Sequence, residues 1–250
     1  MATTDKKMNR FGLLGKNISY SFSQGYFTQK FKDIGLTDYS YENFDIQNIA
    51  ELKNVLAQDN LKGINVTIPY KQDVIPYLDE LDMKAEEIGA VNTIQFTKNG
   101  LKGFNTDAYG FQKSLEPFLK PHHKKALILG TGGASKAIRF VLDELGIDNT
   151  YVSRSRKQDR YTYDELDKDI IEKNTLIINC TPLGTHPDIE DKPQIPYQYI
   201  GANHLLYDLI YNPEKTTFLG LGEAHGAAIC NGSKMLEYQA EKSWEIWNRA

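Results

Sequence analysis

The stretch Ala126-Leu127-Ile128-Leu129-Gly130-Thr131-Gly132-Gly133-Ala134-Ser135 decides the fold. Its continuous apolar run predicts a strand buried on both faces, as in a parallel sheet. Glycines follow at once. Then Ile138, Val141, Leu142 and Leu145 recur at the spacing of one helix face. A strand that turns on glycine into a helix offers free helix amides to an anion, and its backbone can approach a pyrophosphate closely. Ser135 stands where the strict G-x-G-x-x-G pattern has its third glycine. A glycine-rich turn alone is a common coincidence; the strand–turn–helix setting turns it into a dinucleotide-binding expectation.

The next strand, Thr150-Tyr151-Val152, ends in Ser153-Arg154-Ser155-Arg156-Lys157. An NAD site would place Asp or Glu there for the ribose 2′-hydroxyl. This chain offers cations and hydroxyls instead. An arginine fork suits a 2′-phosphate and stacks on adenine, so the expected cofactor is NADP. Apolar runs at 176–178, 205–207 and 227–229 supply further strands. Thr181, Pro182 and Leu183 follow one of them and are expected to line the nicotinamide pocket, beside the glycines Gly130, Gly132 and Gly133 with Thr131 and Ala134.

The first half also alternates strand and helix. Strands are expected at 11–15, 39–44 and 64–68, helices around 26–31 and 49–57, and a mainly helical segment at 74–88. Asn99-Gly100 suits a tight hairpin turn between strands at 93–96 and 101–104. In the strand at 64–68, Ile64, Val66 and Ile68 alternate with Asn65 and Thr67, and Pro69 ends the pairing. Asn65, Thr67 and Lys71 therefore cluster at a strand end, where open α/β sheets place their chemistry. A helix is expected at 108–119. The segment after Gly232 reads as a helix with Leu236, Ala240, Trp244 and Trp247 along one packing face. The fold class is α/β with two domains and a cleft between them. An N-terminal α/β substrate domain spans 1–107 and is completed by a C-terminal helix at 231–250; a Rossmann-like dinucleotide-binding domain spans 108–230.

Composition sets the bounds. The chain has 250 residues, 25% charged and 11% aromatic, as folded proteins do. A net charge of −4 gives no reason to expect nucleic acid or an anionic membrane as partner. No apolar run approaches a membrane span, and the N-terminal residues lack the apolar core of a signal peptide. Two cysteines, Cys180 and Cys230, are too few for a disulfide framework, which points to the cytoplasm. The five histidines show no ligand spacing, so no metal is expected. Cys180 has no His or Asn motif beside it and reads as a packed residue rather than a nucleophile.

Ser21 and Ser23 precede a helix. One of them can cap it, and both hydroxyls with the helix amides can hold a carboxylate. Lys71 and Asp107 form the candidate catalytic pair. Reduction of a ketone by hydride leaves an oxygen that needs a proton, which a lysine can give, while Asp107 holds the ammonium and bonds a neighbouring hydroxyl. A structural ion pair would use the same two residue types.

Several motifs occur together in one order: Ser21-Phe22-Ser23, Asn65-x-Thr67 before Lys71, Gly89-Ala90-Val91-Asn92-Thr93, Asn105-Thr106-Asp107, the glycine turn, Asn179-Cys180-Thr181-Pro182-Leu183-Gly184, and Gln239. This set resembles the shikimate dehydrogenase family over nearly the whole chain. The resemblance implies NADPH-dependent reduction of 3-dehydroshikimate to shikimate in aromatic amino acid biosynthesis. It implies that Ser21 and Ser23 bind the substrate carboxylate, and that Asn65, Thr67, Asn92 and Asp107 bind its ring hydroxyls. Tyr211 and Gln239 match further substrate contacts. Lys71 and Asp107 match the catalytic pair. The Ser153-Arg154-Ser155 turn resembles the family's Asn-Arg-Thr phosphate motif, and Leu209 and Gly232 match further cofactor contacts. Two positions depart. Tyr20 stands for the histidine common before the serines, and Met83 for a cofactor-contacting glutamate of some members. A quinate/shikimate dehydrogenase with relaxed substrate or cofactor use stays open, as does a non-catalytic NADP-binding sensor, against which the Lys71–Asp107 pair argues. A folate-type dehydrogenase of similar layout would not need the serine pair.

Overall fold

The computed structural model describes residues 8–19 and 21–249. They fall into two compact units. The first holds the chain up to Thr106 and again from Ala240 onward; the second runs Asp107–Gln239.

The first unit is built on a mixed six-stranded sheet ordered β2-β1-β3-β5-β6-β4. Its strands are β1 (Asn9–Gly15), β2 (Tyr39–Asp45), β3 (Leu61–Val66), β4 (Glu80–Leu81), β5 (Thr93–Thr97) and β6 (Gly100–Phe104). β1, β2 and β3 are mutually parallel, so their carboxyl ends share one edge. α1 (Phe22–Asp33) packs one face of this sheet with Phe27 and Phe31, one turn apart and both buried. The last helix, α8 (Ser233–Trp247), brings Trp244 and Trp247 onto the same face, where they pack against Phe11, Phe27 and Phe31. Ala240, Trp244 and Trp247 of the expected stripe pack there, while Leu236 lies in the second unit; Ser243 and Ile246 are buried on the same helix. The other face carries an aliphatic core around Leu14, Leu52, Ile64, Val66 and Ile94, with α2 (Leu52–Leu56) over it.

Three local expectations are corrected. Residues 74–88 are not mainly helical. Pro76 sits in a single 3₁₀ turn at Ile75–Tyr77, the chain then pairs briefly as β4, and only α3 (Met83–Ile88) is α-helical. Pro76 lacks the amide that a continuing helix needs, and Asp82 starts a new helix by capping the Lys84 amide. β3 begins earlier than expected and ends at Val66, because the chain leaves the sheet for the Ile68-Pro69 turn. In the hairpin the turn residues are Lys98 and Asn99. Gly100 is paired with Thr97 and takes the positive φ of 119°.

The second unit carries an all-parallel six-stranded sheet in the order β12-β11-β10-β7-β8-β9. The strands are β7 (Lys125–Leu129), β8 (Asp148–Ser153), β9 (Arg160–Thr162), β10 (Leu176–Asn179), β11 (Leu205–Asp208) and β12 (Ala228–Cys230). Strand order reverses between β7 and β10, the doubly wound arrangement whose crevice lies at that switch point. α4 (Thr106–Leu115), α5 (Gly133–Glu144), α6 (Lys168–Lys173) and α7 (Thr217–Ala224) complete it. α5 buries Ala137, Ile138, Val141 and Leu142. β9, α6 and α7 have no counterpart in the sequence reading; they are short and carry mixed polar and apolar residues.

Candidate functional site

In the first unit the expected substrate residues gather at the carboxyl ends of β1 and β3. The Asp45 carboxylate at the end of β2 accepts from the amides of Asn17 (2.9 Å) and Ile18 (3.2 Å), which fixes the turn that leads to α1. Ser21 is the N-cap of α1, its hydroxyl accepting from the Ser23 amide at 3.1 Å. Ser23 is buried in the first turn. Both serines thus stand at a helix N-terminus, where amides favour an anion. Tyr20 lies outside the described residues.

Thr67 and Lys71 bracket a turn tied down along its length. The Thr67 amide donates to Leu14 O (2.8 Å), the Lys16 amide to Ile68 O (3.2 Å), and the Val91 amide to Lys71 O (2.7 Å). Tyr70 plugs the core, its hydroxyl donating to Ile46 O at 2.9 Å. The Lys71 backbone is therefore held while its side chain stays half-exposed. Asp107 opens the second unit in the first turn of α4 and is buried.

Asn65 and Asn92 are brought together, and both belong to a larger buried network. Asn65 Oδ1 accepts from Tyr41 Oη (2.8 Å), while Nδ2 faces Ser243 Oγ (2.9 Å), Thr93 Oγ1 (3.1 Å) and Asn92 O (3.3 Å). Asn92 Oδ1 accepts from the Thr106 amide at 2.6 Å, and its Nδ2 donates to Thr106 Oγ1 at 3.0 Å. Burial raises the Tyr41 phenol, which keeps it a donor. The sequence reading reaches only the two asparagines of this network. Tyr41, Thr93, Thr106 and Ser243 come from four separate elements, and a sequence gives no sign that their hydroxyls converge.

In the second unit, β7 hands over to α5 through the glycine turn. Gly130 has φ +97°, a conformation that favours glycine, and it lies against Cys180 O and the Thr181 methyl. Thr131 and Gly132 are exposed and Gly133 and Ala134 partly so. No side chain caps α5, and a Cβ placed on Gly132 would meet nothing within 4 Å. On the neighbouring strand end, Ser153 Oγ donates to Ser155 O at 2.6 Å, which tightens the turn. Arg154 is exposed, with no ion pair to it among the described residues, while Arg156 reaches Glu165 at 3.2 Å. These features fit a dinucleotide bearing a 2′-phosphate: open backbone at the pyrophosphate position, uncapped helix amides, and a cation where a carboxylate would repel.

Thr181 follows β10 across the switch point. Its hydroxyl donates to Asn179 Oδ1 (2.6 Å) and accepts from the Leu183 amide (3.3 Å). Leu209 and Gly232 meet directly, because a Cβ at 232 would collide with the Leu209 carbonyl. Tyr211 is partly buried just beyond β11, and Gln239 is buried on α8, its Nε2 donating to Leu236 O at 3.1 Å. Both lie in the second unit. Met83 is exposed at the start of α3. Burial pushes the Cys180 thiol up, with the Asp208 carboxylate adding to it.

Residues 13–94 match the family model described as the shikimate dehydrogenase substrate binding domain. A protein of Clostridium beijerinckii named shikimate dehydrogenase (NADP(+)) is 39% identical, over 96% of this chain and 92% of its own length. The chain belongs to the shikimate dehydrogenase family. The crystal structure of shikimate dehydrogenase 1 from Peptoclostridium difficile has a TM-score of 0.84 and 38% identity, covering 96% of this chain and 91% of that one. A shikimate 5-dehydrogenase from Thermus thermophilus, solved in complex with NADP(H) and shikimate, has a TM-score of 0.84 and 30% identity, covering 96% and 94%. Two residues of the second unit escape the sequence reading. Asn179 lies within a quoted motif, of which only Thr181, Pro182 and Leu183 are given a role. Asp208 carries a signal of its own, as the lone carboxylate closing an apolar strand, Leu205-Leu206-Tyr207-Asp208.

Proposed function

We propose that the chain is an NADP-dependent shikimate dehydrogenase, reducing 3-dehydroshikimate to shikimate reversibly on the route to aromatic amino acids. The observation that carries this reading is near full-length similarity to proteins of that name, joined to strand-end placement of the serine, lysine and arginine motifs. Ser21 and Ser23 hold the substrate carboxylate with the first amides of α1. Asn65, Thr67 and Asn92 read the ring hydroxyls, with Tyr211 and Gln239 as further contacts. When bound, NADPH supplies the hydride that reduces the carbonyl carbon. Lys71 gives its proton to the carbonyl oxygen as the C=O bond becomes C–O, and takes a proton back from water before the next cycle. In the opposite direction the neutral lysine receives the hydroxyl proton. Asp107 orients the Lys71 ammonium and accepts from a neighbouring substrate hydroxyl.

Gly130, Thr131, Gly132, Gly133 and Ala134 hold the pyrophosphate, Ser153, Arg154 and Ser155 the 2′-phosphate, and Thr181, Leu209 and Gly232 the nicotinamide end. Free cysteines at Cys180 and Cys230 suit a cytoplasmic setting.

Initial rates with shikimate or quinate, each with NADP or NAD, test the reading. Turnover of shikimate with NADP at the highest kcat/KM is expected. Preference for quinate or for NAD would move the chain to the relaxed class. Dinucleotide binding without turnover would make it a sensor.

A further inference from the structure

Asp208 is fully buried at the last position of β11, register partner of Asn179 at the last position of β10. Among the described residues no cation pairs with it. Three donors surround it instead: Thr216 Oγ1 on Oδ2 (2.6 Å), and Asn179 Nδ2 and the Ile210 amide on Oδ1 (3.0 Å each). An unpaired carboxylate at a strand end costs stability that an apolar residue would not. The carboxylate therefore does something that packing does not require.

Its chemistry shows what. A carboxylate only accepts, so it fixes which end of the Asn179 amide faces it. With Nδ2 turned to Asp208, Oδ1 faces the other way and accepts from the Thr181 amide (3.0 Å) and Thr181 hydroxyl (2.6 Å). With that hydroxyl proton committed, Thr181 Oγ1 accepts from the Leu183 amide, and the methyl lies against Gly130. On the other flank the Leu209 amide donates to Asn179 O (3.1 Å), and the Gly232 amide donates to Ile210 O (3.0 Å). Donated protons thus run from the Leu183 amide through Thr181 and Asn179 to Asp208, and Asn179 Nδ2 also donates back to Leu183 O at 3.4 Å, which ties the loop to the same amide.

We propose that Asp208 is a positioning residue for the nicotinamide end of the site: acting through Asn179, it sets the hydroxyl of Thr181 and the loop to Leu183, and it holds the turn where Leu209 meets Gly232. The proposal rests on the cofactor reading given above. Asp208 itself does not touch the dinucleotide in this scheme.

The test measures NADPH dissociation constants by fluorescence titration without substrate, beside shikimate KM at saturating NADP and thermal melting. Asp208→Ala should weaken NADPH about tenfold, the size of one net hydrogen bond, with shikimate KM changed less than about twofold. Asn179→Ala should match it. The double variant should lose little more than either single one, because the two act in series. Asp208→Asn keeps an acceptor toward Asn179 and should fall between wild type and Asp208→Ala; it carries the test if the alanine variant does not fold. Unchanged NADPH affinity in the folded variants, or fully additive losses, would overturn the proposal. Arg154→Ala separates the two levels. If it leaves NADPH binding intact, the cofactor reading fails; if it weakens binding while the Asp208 variants do not, only the positioning role fails.

Discussion

The two units hold their polar groups in opposite ways. The first buries a network of neutral partners, Tyr41, Asn65, Asn92, Thr93, Thr106 and Ser243, each an amide or a hydroxyl. The second buries two carboxylates, Asp107 and Asp208, and keeps the Arg154 cation in water. The contrast fits the roles proposed above, ring hydroxyls for the first unit and a 2′-phosphate for the second. Hydroxyls of a ring are read by neutral donors and acceptors whose geometry is fixed, and a satisfied neutral network keeps that geometry without the desolvation cost of charge. A phosphate is read by charge. A cation left hydrated until its ligand arrives avoids the cost of burying it alone.

The strongest way to break this comparison lies in the first unit. If its neutral network is a frame, the chemistry must come from the ionisable groups placed against it. Lys71→Ala should lower kcat by about 10²–10⁴-fold, the usual share of a general acid, with NADPH affinity and melting temperature nearly unchanged. Near wild-type turnover would exclude Lys71, and Tyr211 would be the next group to examine. The charge in the second unit comes next. Arg154→Ala should weaken NADP by about 1.5–3 kcal/mol, the worth of a charge-assisted contact, and leave NAD almost unaffected. Equal losses for both cofactors would remove the 2′-phosphate role and, with it, half of the contrast.

Legibility in the sequence divides along the same line. The parallel sheet is readable because Ala126–Leu129 and Leu176–Ile178 are continuous apolar runs closed by turn residues, a pattern with few other structural solutions. The glycine turn and Arg154 are readable because each follows directly on a strand of one consecutive β7–α5–β8 run. Ser21 is readable as a helix start, since a cap is a local event. The neutral network is not, because Ser243 on α8 meets Asn65 on β3 across 178 residues of chain. The break at Pro76 is hidden because apolar spacing at 74–88 imitates a helix that the proline and Asp82 interrupt.

A smaller effect separates the two networks by pH. Burial pushes the Asp208 carboxyl up to about 6, against the donors that pull it down. The folded state therefore holds this proton more tightly than the unfolded chain. Its stabilising share is present below about pH 4, where an ordinary carboxyl is protonated, and is lost as pH rises through about 6. The groups facing it do not titrate there, since burial raises both the Tyr197 phenol and the Cys180 thiol. In urea unfolding from pH 4.5 to 7.5, stability of wild type relative to Asp208→Asn should fall by up to about 1.4 kcal/mol per pH unit, then level off. Parallel curves would mean that Asp208 stays ionised throughout. Ser243→Ala, in the neutral network, should show no such slope.

The smallest expected effect tests whether the serines serve the fold, the substrate or both. Ser21 caps α1 and its hydroxyl accepts from the Ser23 amide. Its loss should cost about 1 kcal/mol of stability, as for other caps. Ser23 caps nothing, but its hydroxyl bonds the buried Tyr41 phenol, so Ser23→Ala should also cost about 1 kcal/mol. If both hydroxyls hold the substrate carboxylate, both variants should raise the KM for shikimate while kcat stays near wild type, because a carboxylate remote from the reacting carbon is bound alike in ground and transition states. Both variants would then change stability and KM together. A Ser23→Ala enzyme with unchanged KM would remove Ser23 from the substrate site. If Ser21→Ala lost stability and kept its KM, the helix start would be structural, and the first unit would bind its anion through groups other than this pair.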